Sequence, residues 1–397
     1  MQEKYGVTYP EGFLAAGISC GIKGNGKKDL ALVFSEKDCV SAGCFTTNQF
    51  KSYSLIWSQK HIRGPIRAVL VNSGNANACN GPENWTLTRE LAHQTGKFFH
   101  LPPSSILLAS TGIIGRKLPL ENILRTLPEL KKNLSVAGHL DAALAITTTD
   151  THPKEDQKQL PIPGRKKKVS LGGMAKGAGM INPHLATMLC FLTTDACIHQ
   201  QALSCALKNA VEDSFNMITV DNDRSTNDTV ILLANGLAGN RTIHLETEEY
   251  EIFAQGLKDI CRQLAKEIAY DGEGASKSLE VQVKGGFCIS DARQAAKKVA
   301  GSNLVKAAVA GGWPNWGRIL AALGSTNVRL KTSRVKISLC GIDVYHGQPL
   351  LYPEEEIKRR LSGRQITIEI DLGSGQAQAV AWSCDLTEEY VRINREE

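Results

Sequence analysis

Apolar side chains recur every three or four residues in several stretches of the chain, and this spacing predicts amphipathic helices. The predicted helices cover residues 120–127, 203–215, 252–268 and 316–323. Short runs of apolar residues, rich in β-branched side chains, predict strands at 68–71, 230–233, 279–283, 335–339 and 366–370. The last three strands alternate polar and apolar positions, which is typical of sheets with one face in water. We therefore expect a mixed α+β chain with antiparallel hairpins toward the C-terminus.

Two shifts in composition interrupt this pattern. Residues 154–168 are polar, contain two prolines and end in a basic run, so they predict an exposed hairpin or loop with a solvated basic tip. A second break near Lys277 separates the long predicted helix from a strand-rich C-terminal third.

Composition excludes several classes of protein. Hydrophobic residues make up 42% and charged residues 22% of the 397, values typical of a globular protein rather than a disordered one. No apolar run approaches the ~20 residues of a membrane-spanning helix. A net charge of +6 and an aromatic content of 6% do not favour a nucleic-acid surface. Eleven scattered cysteines without a Cys-x-x-Cys pair, and a polar N-terminus, predict a reduced, cytoplasmic protein.

Common catalytic motifs are missing or incomplete. The glycine-rich segment 21–28 resembles a phosphate-binding loop, but Lys28 stands where a Ser or Thr must bind magnesium, so we expect a simple turn. No histidine pair has the spacing of a metal hydrolase, and no Gly-x-Ser-x-Gly elbow is present. The chain therefore offers little support for a metal site or for an ordinary serine hydrolase.

The segment with the most unusual chemistry runs from Gly172 to Leu192, where a glycine-rich loop ends at Thr187 and an apolar run follows. Thr187 fits an ordinary β-branched strand residue. It also fits an N-terminal nucleophile: if the Ala186–Thr187 bond is cut, the new α-amine, with a reference pKa near 8, can act as the base for its own hydroxyl.

Two further segments fit an acyl-transfer site. In 110–115, the Thr111 hydroxyl and the Gly112 backbone N–H can point at one oxyanion, although a plain turn after the strand fits equally well. In 271–277, glycines on both sides of Glu273 free its carboxylate to face a cleft, and the alternative is a helix-ending turn.

Taken in order, these segments resemble one family, that of glutamate N-acetyltransferase, also called ornithine acetyltransferase or the ArgJ family. The resemblance extends over nearly the whole chain. It is carried by residues 21–32, 45–48, 71–78, 110–115, 148–151, 176–189, 218–221, 225–229, 271–277, 314–318 and 384–387.

The resemblance implies a specific reaction. The precursor is expected to cleave itself between Ala186 and Thr187 into an α chain of 186 residues and a β chain of 211. Thr187 would then accept acetyl from N2-acetyl-L-ornithine and pass it to L-glutamate in a ping-pong cycle without a metal or organic cofactor. Some family members also use acetyl-CoA, and the resemblance leaves open whether this chain does.

The resemblance also implies roles for particular residues. Thr111 and Gly112 match the oxyanion pair of the family. Its substrate-contacting positions are matched by Thr148, Lys176, Thr187, Glu273 and Asn394. Lys176 suits a substrate carboxylate and Glu273 an ammonium group of ornithine. In the family the tail with the asparagine comes from a neighbouring protomer, which implies an (αβ)2 heterotetramer.

The fold implied by the resemblance is an ArgJ/DmpA-like four-layer αββα sandwich with a smaller C-terminal α/β lobe. Residues 1–186 and about 187–278 would form the sandwich, and about 279–397 the lobe. Two alternatives share parts of this interpretation: a self-cleaving threonine amidase or aminopeptidase that uses water as the acceptor, and a binding protein that keeps the fold without catalysis.

Overall fold

The computed structural model describes residues 5–24, 26–162, 168–182 and 188–395. These divide into two compact units. The larger unit contains the described residues up to 177 together with 188–215 and 224–264, and the smaller unit contains 178–182, 216–223 and 265–395.

The larger unit holds eight strands: β1 (Phe13–Ile18), β2 (Leu30–Phe45), β3 (Ile66–Asn75), β4 (Ile106–Ile113), β5 (Lys154–Leu160), β6 (Val169–Lys176), β7 (Leu189–Thr194) and β8 (Thr229–Ala234). Its helices are α1 (Tyr53–His61), α2 (Glu83–Phe99), α3 (Leu120–Lys132), α4 (His139–Ile146), α5 (Gln200–Glu212) and α6 (Glu248–Tyr270), of which the last six residues belong to the smaller unit.

The long strand β2 joins two halves of one sheet with the order β4-β3-β2-β8-β7-β6-β5. Its first part pairs with β1 and β3, and its last part, from Val40, pairs with β8. The two halves face each other, because alternate residues of both meet in one buried cluster, exemplified by Val33 and Val69 from one half and Phe191 and Ile231 from the other. Burial of these apolar faces is the main favourable contribution to the sandwich.

Helices cover both outer faces of this sandwich. On one side, Leu32 and Leu70, which alternate with the inner residues, pack in a second cluster with Leu91 of α2 and Ile123 of α3. On the other side, Gly173 of β6 lies so close to α6 that a side chain there would contact Leu264 and Ile260. The order of layers is therefore helix, sheet, sheet, helix, and the prediction of an α+β, αββα sandwich is confirmed.

The smaller unit contains a five-stranded sheet with the order β11-β10-β12-β9-β13. Its strands are β9 (Ser278–Gly286), β10 (Lys336–Leu339), β11 (Ile342–His346), β12 (Gln365–Asp371) and β13 (Ala377–Cys384). Its helices are α7 (Ile289–Ala300), α8 (Asn303–Ala310), α9 (Trp316–Gly324), α10 (Glu354–Leu361) and α11 (Glu388–Arg395). Helix α7 packs on β9 and β13, which gives this unit its own α/β core.

The predicted helices and strands are confirmed, most of them with slightly wider bounds in the structure. The helix predicted over 203–215 ends earlier, at Glu212, and the strand predicted over 335–339 begins one residue later, at Lys336. The 154–168 prediction is confirmed in part. Strands β5 and β6 do pair antiparallel, as in a hairpin, and residues 163–167, for which a solvated basic tip was predicted, lie outside the described residues. Exposure was the wrong expectation for Lys154, which is completely buried because a buried carboxylate, described below, accepts a hydrogen bond from its ammonium.

Within the described residues, no helix is both long and apolar enough to cross a membrane. All eleven cysteines are described, and each of them is a free thiol.

Candidate active site

The end of β4, which contains Thr111 and Gly112, carries the predicted oxyanion pair, and together with the turn at residues 114–115 we call it the oxyanion turn. Strand β4 pairs in parallel with β3, with Gly112 opposite Gly74. Gly112 has φ of +123°, and a Cβ there would lie 2.4 Å from the carbonyl carbon of Gly74. Only glycine fits this position, so the chain can present the Gly112 backbone N–H beside the hydroxyl of Thr111.

Asn227 holds this turn in place. Its side-chain amide, 4% exposed, donates hydrogen bonds to the carbonyl oxygen of Ser110 (2.8 Å) and to that of Ala76 (2.7 Å). These two carbonyls belong to the last residues of β4 and to the residue after β3, respectively. One buried amide therefore holds the end of β3 and the end of β4 together, next to Thr111 and Gly112.

Lys176 places a buried cation next to that turn. Its ammonium, on a residue only 2% exposed, donates to the Thr148 hydroxyl at 2.7 Å and lies 3.5 Å from the Thr111 hydroxyl oxygen. Three residues that the sequence predicted for the site, far apart along the chain, thus meet at one point. A buried ammonium with hydroxyl partners is suited to bind a carboxylate.

Asp150 is the anion that compensates this buried charge. One carboxylate oxygen accepts from the Lys154 ammonium (2.8 Å) and the Gly177 backbone N–H (2.7 Å), and the other accepts from the Thr148 N–H (3.0 Å) and lies 3.8 Å from the Lys176 nitrogen. Burial alone would raise the pKa of Asp150, but Lys176 and Lys154 outweigh it and hold that pKa below its usual range.

The topology explains why these residues meet. Lys176 is the last residue of β6 and pairs with Leu189, the first residue of β7. Thr148 and Asp150 lie in the turn after α4, where the carboxylate folds back onto its own backbone. The segment that joins β6 to β7 contains the predicted cleavage site.

Ala186 and Thr187 lie outside the described residues, so their predicted roles stay predictions. The residue that follows them is described: the Met188 backbone N–H donates to one oxygen of the Asp228 carboxyl group at 3.2 Å. The other oxygen of Asp228 has no hydrogen-bond partner among the residues that the structure describes, and the side chain is completely buried. Burial raises the pKa of Asp228 well above its usual value.

In the smaller unit, Glu273 lies in the turn after α6. Its backbone N–H donates to the Ala178 carbonyl (3.0 Å), and its carboxylate accepts from the side-chain amide of Asn394 (2.8 Å). Gly274, with φ of +70°, allows α11 to approach, since a Cβ there would lie 2.5 Å from the Tyr390 nitrogen. The structure therefore brings Glu273 and Asn394 together, as the sequence predicted.

The contact between Asn394 and Glu273 is described within one chain. The resemblance placed this asparagine on a neighbouring protomer, whereas here the tail of the same chain contacts Glu273. The physical reason is local: Thr387 donates a hydrogen bond to the Gly274 carbonyl (2.6 Å), which anchors the start of α11 beside the turn.

Asp221 organises the segment before the predicted cleavage site. Its carboxylate accepts hydrogen bonds from the backbone N–H groups of Met180 (2.5 Å) and Ile181 (2.9 Å). Burial raises the pKa of Asp221 even though these N–H groups oppose the shift. Burial, together with nearby Asp221 and Glu273, also raises the pKa of Tyr390 in α11.

The segment 21–28 is a turn, as predicted, and the structure shows why it does not cradle phosphate. The Asp29 carboxylate accepts hydrogen bonds from the backbone N–H groups of Cys20 (2.6 Å), Ile22 (2.6 Å) and Lys23 (3.0 Å). The donors that a phosphate would need are already used by the chain's own carboxylate.

Sequence analysis missed the residues that support the predicted ones. Asp150, Asn227 and Asp228 all lie within segments that carried the family resemblance, yet none had been given a role. Their signal was weak, because a buried Asp or Asn can be identified only once its distant partners are known. In the described part of the chain, no cluster of three or more His, Cys, Asp or Glu side chains is arranged to hold a metal ion.

Comparison with known proteins is consistent with this geometry. A family model described as the ArgJ family matches residues 14–396. The arginine biosynthesis bifunctional protein ArgJ of Symbiobacterium thermophilum is 47% identical over 393 residues, which are 98% of this chain and 97% of that protein. ArgJ 1 of Clostridium acetobutylicum, also described as an arginine biosynthesis bifunctional protein, is 44% identical over 388 residues, 96% of this chain and 95% of that protein.

A solved structure also matches. The crystal structure of the arginine biosynthesis bifunctional protein from Bacillus halodurans is 40% identical, with a TM-score of 0.51, and the match covers 52% of this chain and 98% of that one. These matches confirm the predicted family and the prediction that the chain is an acyltransferase. The chain belongs to the ArgJ family.

Proposed function

We propose that this protein transfers an acetyl group from N2-acetyl-L-ornithine to L-glutamate through an acetyl-threonine intermediate on Thr187. The observation that carries the proposal is the buried Lys176 ammonium, which lies within 3.5 Å of the hydroxyl oxygens of both Thr111 and Thr148. A carboxylate-binding cation and an oxyanion turn in one place suit an acyl transfer between amino acids.

The charges around Lys176 favour an anionic substrate. Two buried lysines, Lys154 and Lys176, face one buried aspartate, Asp150. Buried charges are stabilised by opposite charges close by, so a substrate carboxylate beside Lys176 would add a favourable ion pair. The Thr148 hydroxyl, which accepts a hydrogen bond from Lys176, can donate its own proton to the same carboxylate.

In the proposed cycle, the Thr187 α-amine takes the proton from its own hydroxyl as the oxygen attacks the acetyl carbonyl. The resulting oxyanion accepts hydrogen bonds from the Thr111 hydroxyl and the Gly112 N–H. The carbon–nitrogen bond of the donor then breaks, and the Thr187 ammonium returns its proton to the departing amine of ornithine. Glutamate enters with its amine neutral and reverses these steps: the amine attacks the acetyl carbonyl, and the Thr187 hydroxyl is released with its proton. The proposed cycle uses no metal or organic cofactor.

Self-cleavage between Ala186 and Thr187 is part of the proposal, because it creates the α-amine. It divides the chain into residues 1–186 and 187–397, of which about 187–278 would complete the sandwich and about 279–397 would form the lobe. One comparison supports the cleavage. The matched region is 52% of this chain but 98% of the Bacillus halodurans chain, so that chain is about half as long, as expected for one product of such a cleavage. We propose that the two chains assemble as an (αβ)2 heterotetramer, and sedimentation of the purified protein measures that state.

In the smaller unit, we assign Glu273 to the side-chain ammonium of ornithine. Its carboxylate already accepts one hydrogen bond from Asn394, which orients it and leaves further acceptor capacity. Asn394 would also contact the substrate, as the family resemblance implies.

A second activity follows from the names of the relatives, which describe bifunctional proteins. We propose that acetyl-CoA also acetylates Thr187, so that the enzyme makes N-acetylglutamate without acetylornithine. Incubation of the protein with acetyl-CoA and glutamate alone, followed by detection of N-acetylglutamate, tests this activity directly.

The main reaction is tested with N2-acetyl-L-ornithine that carries a labelled acetyl group. We expect the label to move to glutamate, with little free acetate, and Thr187→Ala to abolish the transfer. Rapid release of labelled acetate without transfer would contradict the proposal and instead favour the hydrolase. A protein that does neither and stays in one piece would favour a non-catalytic binding protein.

A further inference from the structure

Lys23 is a second cation beside the oxyanion turn, and no role has yet been given to it. Its side chain packs against Gly74, where a Cβ would lie 3.1 Å from the Lys23 Cγ. Gly74 in turn is in backbone contact with Gly112, as described above. The lysine is therefore one glycine away from the predicted oxyanion donor.

The ammonium of Lys23 is only partly satisfied. It donates one hydrogen bond, to the Lys28 carbonyl at 2.8 Å, and forms no ion pair with any residue that the structure describes. An ammonium has three donors, so two remain for a ligand. The backbone N–H of Lys23 is committed to Asp29, which fixes where the side chain begins.

The electrostatic surroundings make this position unfavourable for an ammonium without a ligand. The pKa of Lys23 is lowered to about 8, mainly by burial and with contributions from Lys176 and Lys27, although Asp29 and Asp150 oppose the shift. A half-buried lysine whose pKa is lowered by burial and by the charge of a second lysine is a candidate for binding an anion.

We propose that Lys23 binds the side-chain carboxylate of the acyl acceptor and thereby selects an acidic amino acid for the second half of the reaction. The inference rests on the proposed transfer to glutamate. The acceptor and the released product share an α-amino acid group and differ at the far end, where one carries a carboxylate and the other an ammonium. Lys176 can serve the group that they share, whereas Lys23 serves the carboxylate that only the acceptor has.

A lysine suits this task because its charge can adapt. When a carboxylate approaches, the protonated form of Lys23 is favoured, and when no carboxylate is bound, the neutral form costs little at a pH near 8. Lys23 can therefore bind the acceptor without leaving a charge on a half-buried ammonium after the acceptor departs. An arginine would stay charged in both cases.

The test compares two transfers from the same acetyl-enzyme: to glutamate, and to labelled ornithine in the exchange with acetylornithine. For Lys23→Met we expect kcat/KM for glutamate to fall roughly 10- to 100-fold, the value of a charged hydrogen bond, while the ornithine exchange changes less than about threefold. The preference for glutamate over glutamine should fall by a similar factor. Lys27→Met, in the same turn but exposed, is the matched control; because Lys27 contributes least to the lowered pKa of Lys23, this variant should affect both rates far less than Lys23→Met does.

A Lys23→Arg variant provides the second readout. In the unchanged protein, kcat/KM for glutamate should decline as the pH rises through about 8, since Lys23 loses its proton. The arginine variant should retain glutamate transfer and lose that part of the decline. Three results for Lys23→Met would overturn the inference. They are an equal loss of kcat/KM in the transfers to glutamate and to ornithine, an unchanged KM for glutamate, and a defect seen only with acetyl-CoA as the donor. Failure of the unchanged protein in the ornithine exchange would instead contradict the proposed function itself.

Discussion

The nitrogen of Lys176 lies 3.8 Å from a carboxylate oxygen of Asp150, and both side chains are almost completely excluded from solvent. This pair connects the end of β6 to the turn after α4, and Asp150 also binds Lys154 and the Gly177 N–H. The carboxylate therefore does two things at once: it lowers the cost of burying two lysines, and it directs the Lys176 ammonium toward Thr111 and Thr148.

Replacement of Asp150 by Asn should destabilise the protein and impair substrate binding together. Two buried ammonium groups would lose their anion, and breaking a buried ion pair in this way costs about 3–5 kcal/mol. Thermal unfolding measures the first effect, and KM for acetylornithine measures the second.

The double variant Asp150→Asn with Lys154→Met separates the two roles. Removal of Lys154 takes away one of the unpaired charges, so part of the lost stability should return, while activity should remain low because Lys176 is still misplaced. A double variant that regained full activity would show that Asp150 acts only on stability.

If Thr111 and Gly112 bind the oxyanion, closely related variants of these two residues should differ in kcat. Thr111→Val should lower kcat about 10²- to 10³-fold because one donor is lost, whereas Thr111→Ser keeps the hydroxyl and most of the rate. Gly112→Ala should be more damaging, since its Cβ would lie 2.4 Å from backbone. Steady-state kinetics checks all three, and equal kcat for the Val and Ser variants would exclude the hydroxyl as a donor.

Glu273 is predicted to recognise charge rather than shape. Glu273→Gln keeps an oxygen that can accept from Asn394 but removes the negative charge, so KM for acetylornithine should rise roughly 10- to 100-fold. Asn394→Ala serves as the comparison, because it loosens Glu273 without removing its charge and should have a smaller effect. The reverse order of effects would contradict the assignment of Glu273 to an ammonium group.

The raised pKa of Asp228 leads to a prediction about how the stability of the fold depends on pH. In the folded protein burial raises its pKa, so the native state keeps a proton that the unfolded chain releases above about pH 4. Stability should therefore fall as the pH rises from about 4 toward the raised pKa, by at most about 1.4 kcal/mol per pH unit from this group.

Asp228→Asn should remove that part of the slope, because the amide does not titrate and can still accept from the Met188 N–H. Melting temperatures measured from about pH 5 to about pH 8 check the prediction. The measurement uses the Thr187→Ala variant, in which the chain is expected to stay uncut. An unchanged slope would mean that Asp228 is ionised in the fold.

The sequence could predict those features of the structure that depend on residues close together in the chain. Periodicity predicted the helix that contains Ile260 and the strand that contains Ile231, because burial on one face leaves a regular pattern. Threonine and glycine in Ser110–Gly115 predicted an oxyanion pair, which stays a prediction, and the structure places both residues at the end of β4. Lys154 was misjudged, since nothing in its neighbourhood indicates that Asp150 folds back over it.

The layered topology and the supporting residues required the structure or a known relative. The bend of β2, which places Val33 in one half of the sheet and Val40 in the other, depends on pairing with β3 and β8 rather than on any local sequence signal. The role of Asn227 likewise depends on carbonyls that lie more than 100 residues away along the chain. Contacts over such distances cannot be deduced from spacing.

The central claim is that scission before Thr187 creates the amine that activates its own hydroxyl. Intact-mass analysis of freshly purified, active protein, before and after brief exposure to N2-acetyl-L-ornithine, tests it most directly. The account predicts two chains of 186 and 211 residues, with one acetyl group gained by the longer chain and located on Thr187. A single uncut chain that still transfers acetyl, or an acetyl group found on any other residue, would contradict it.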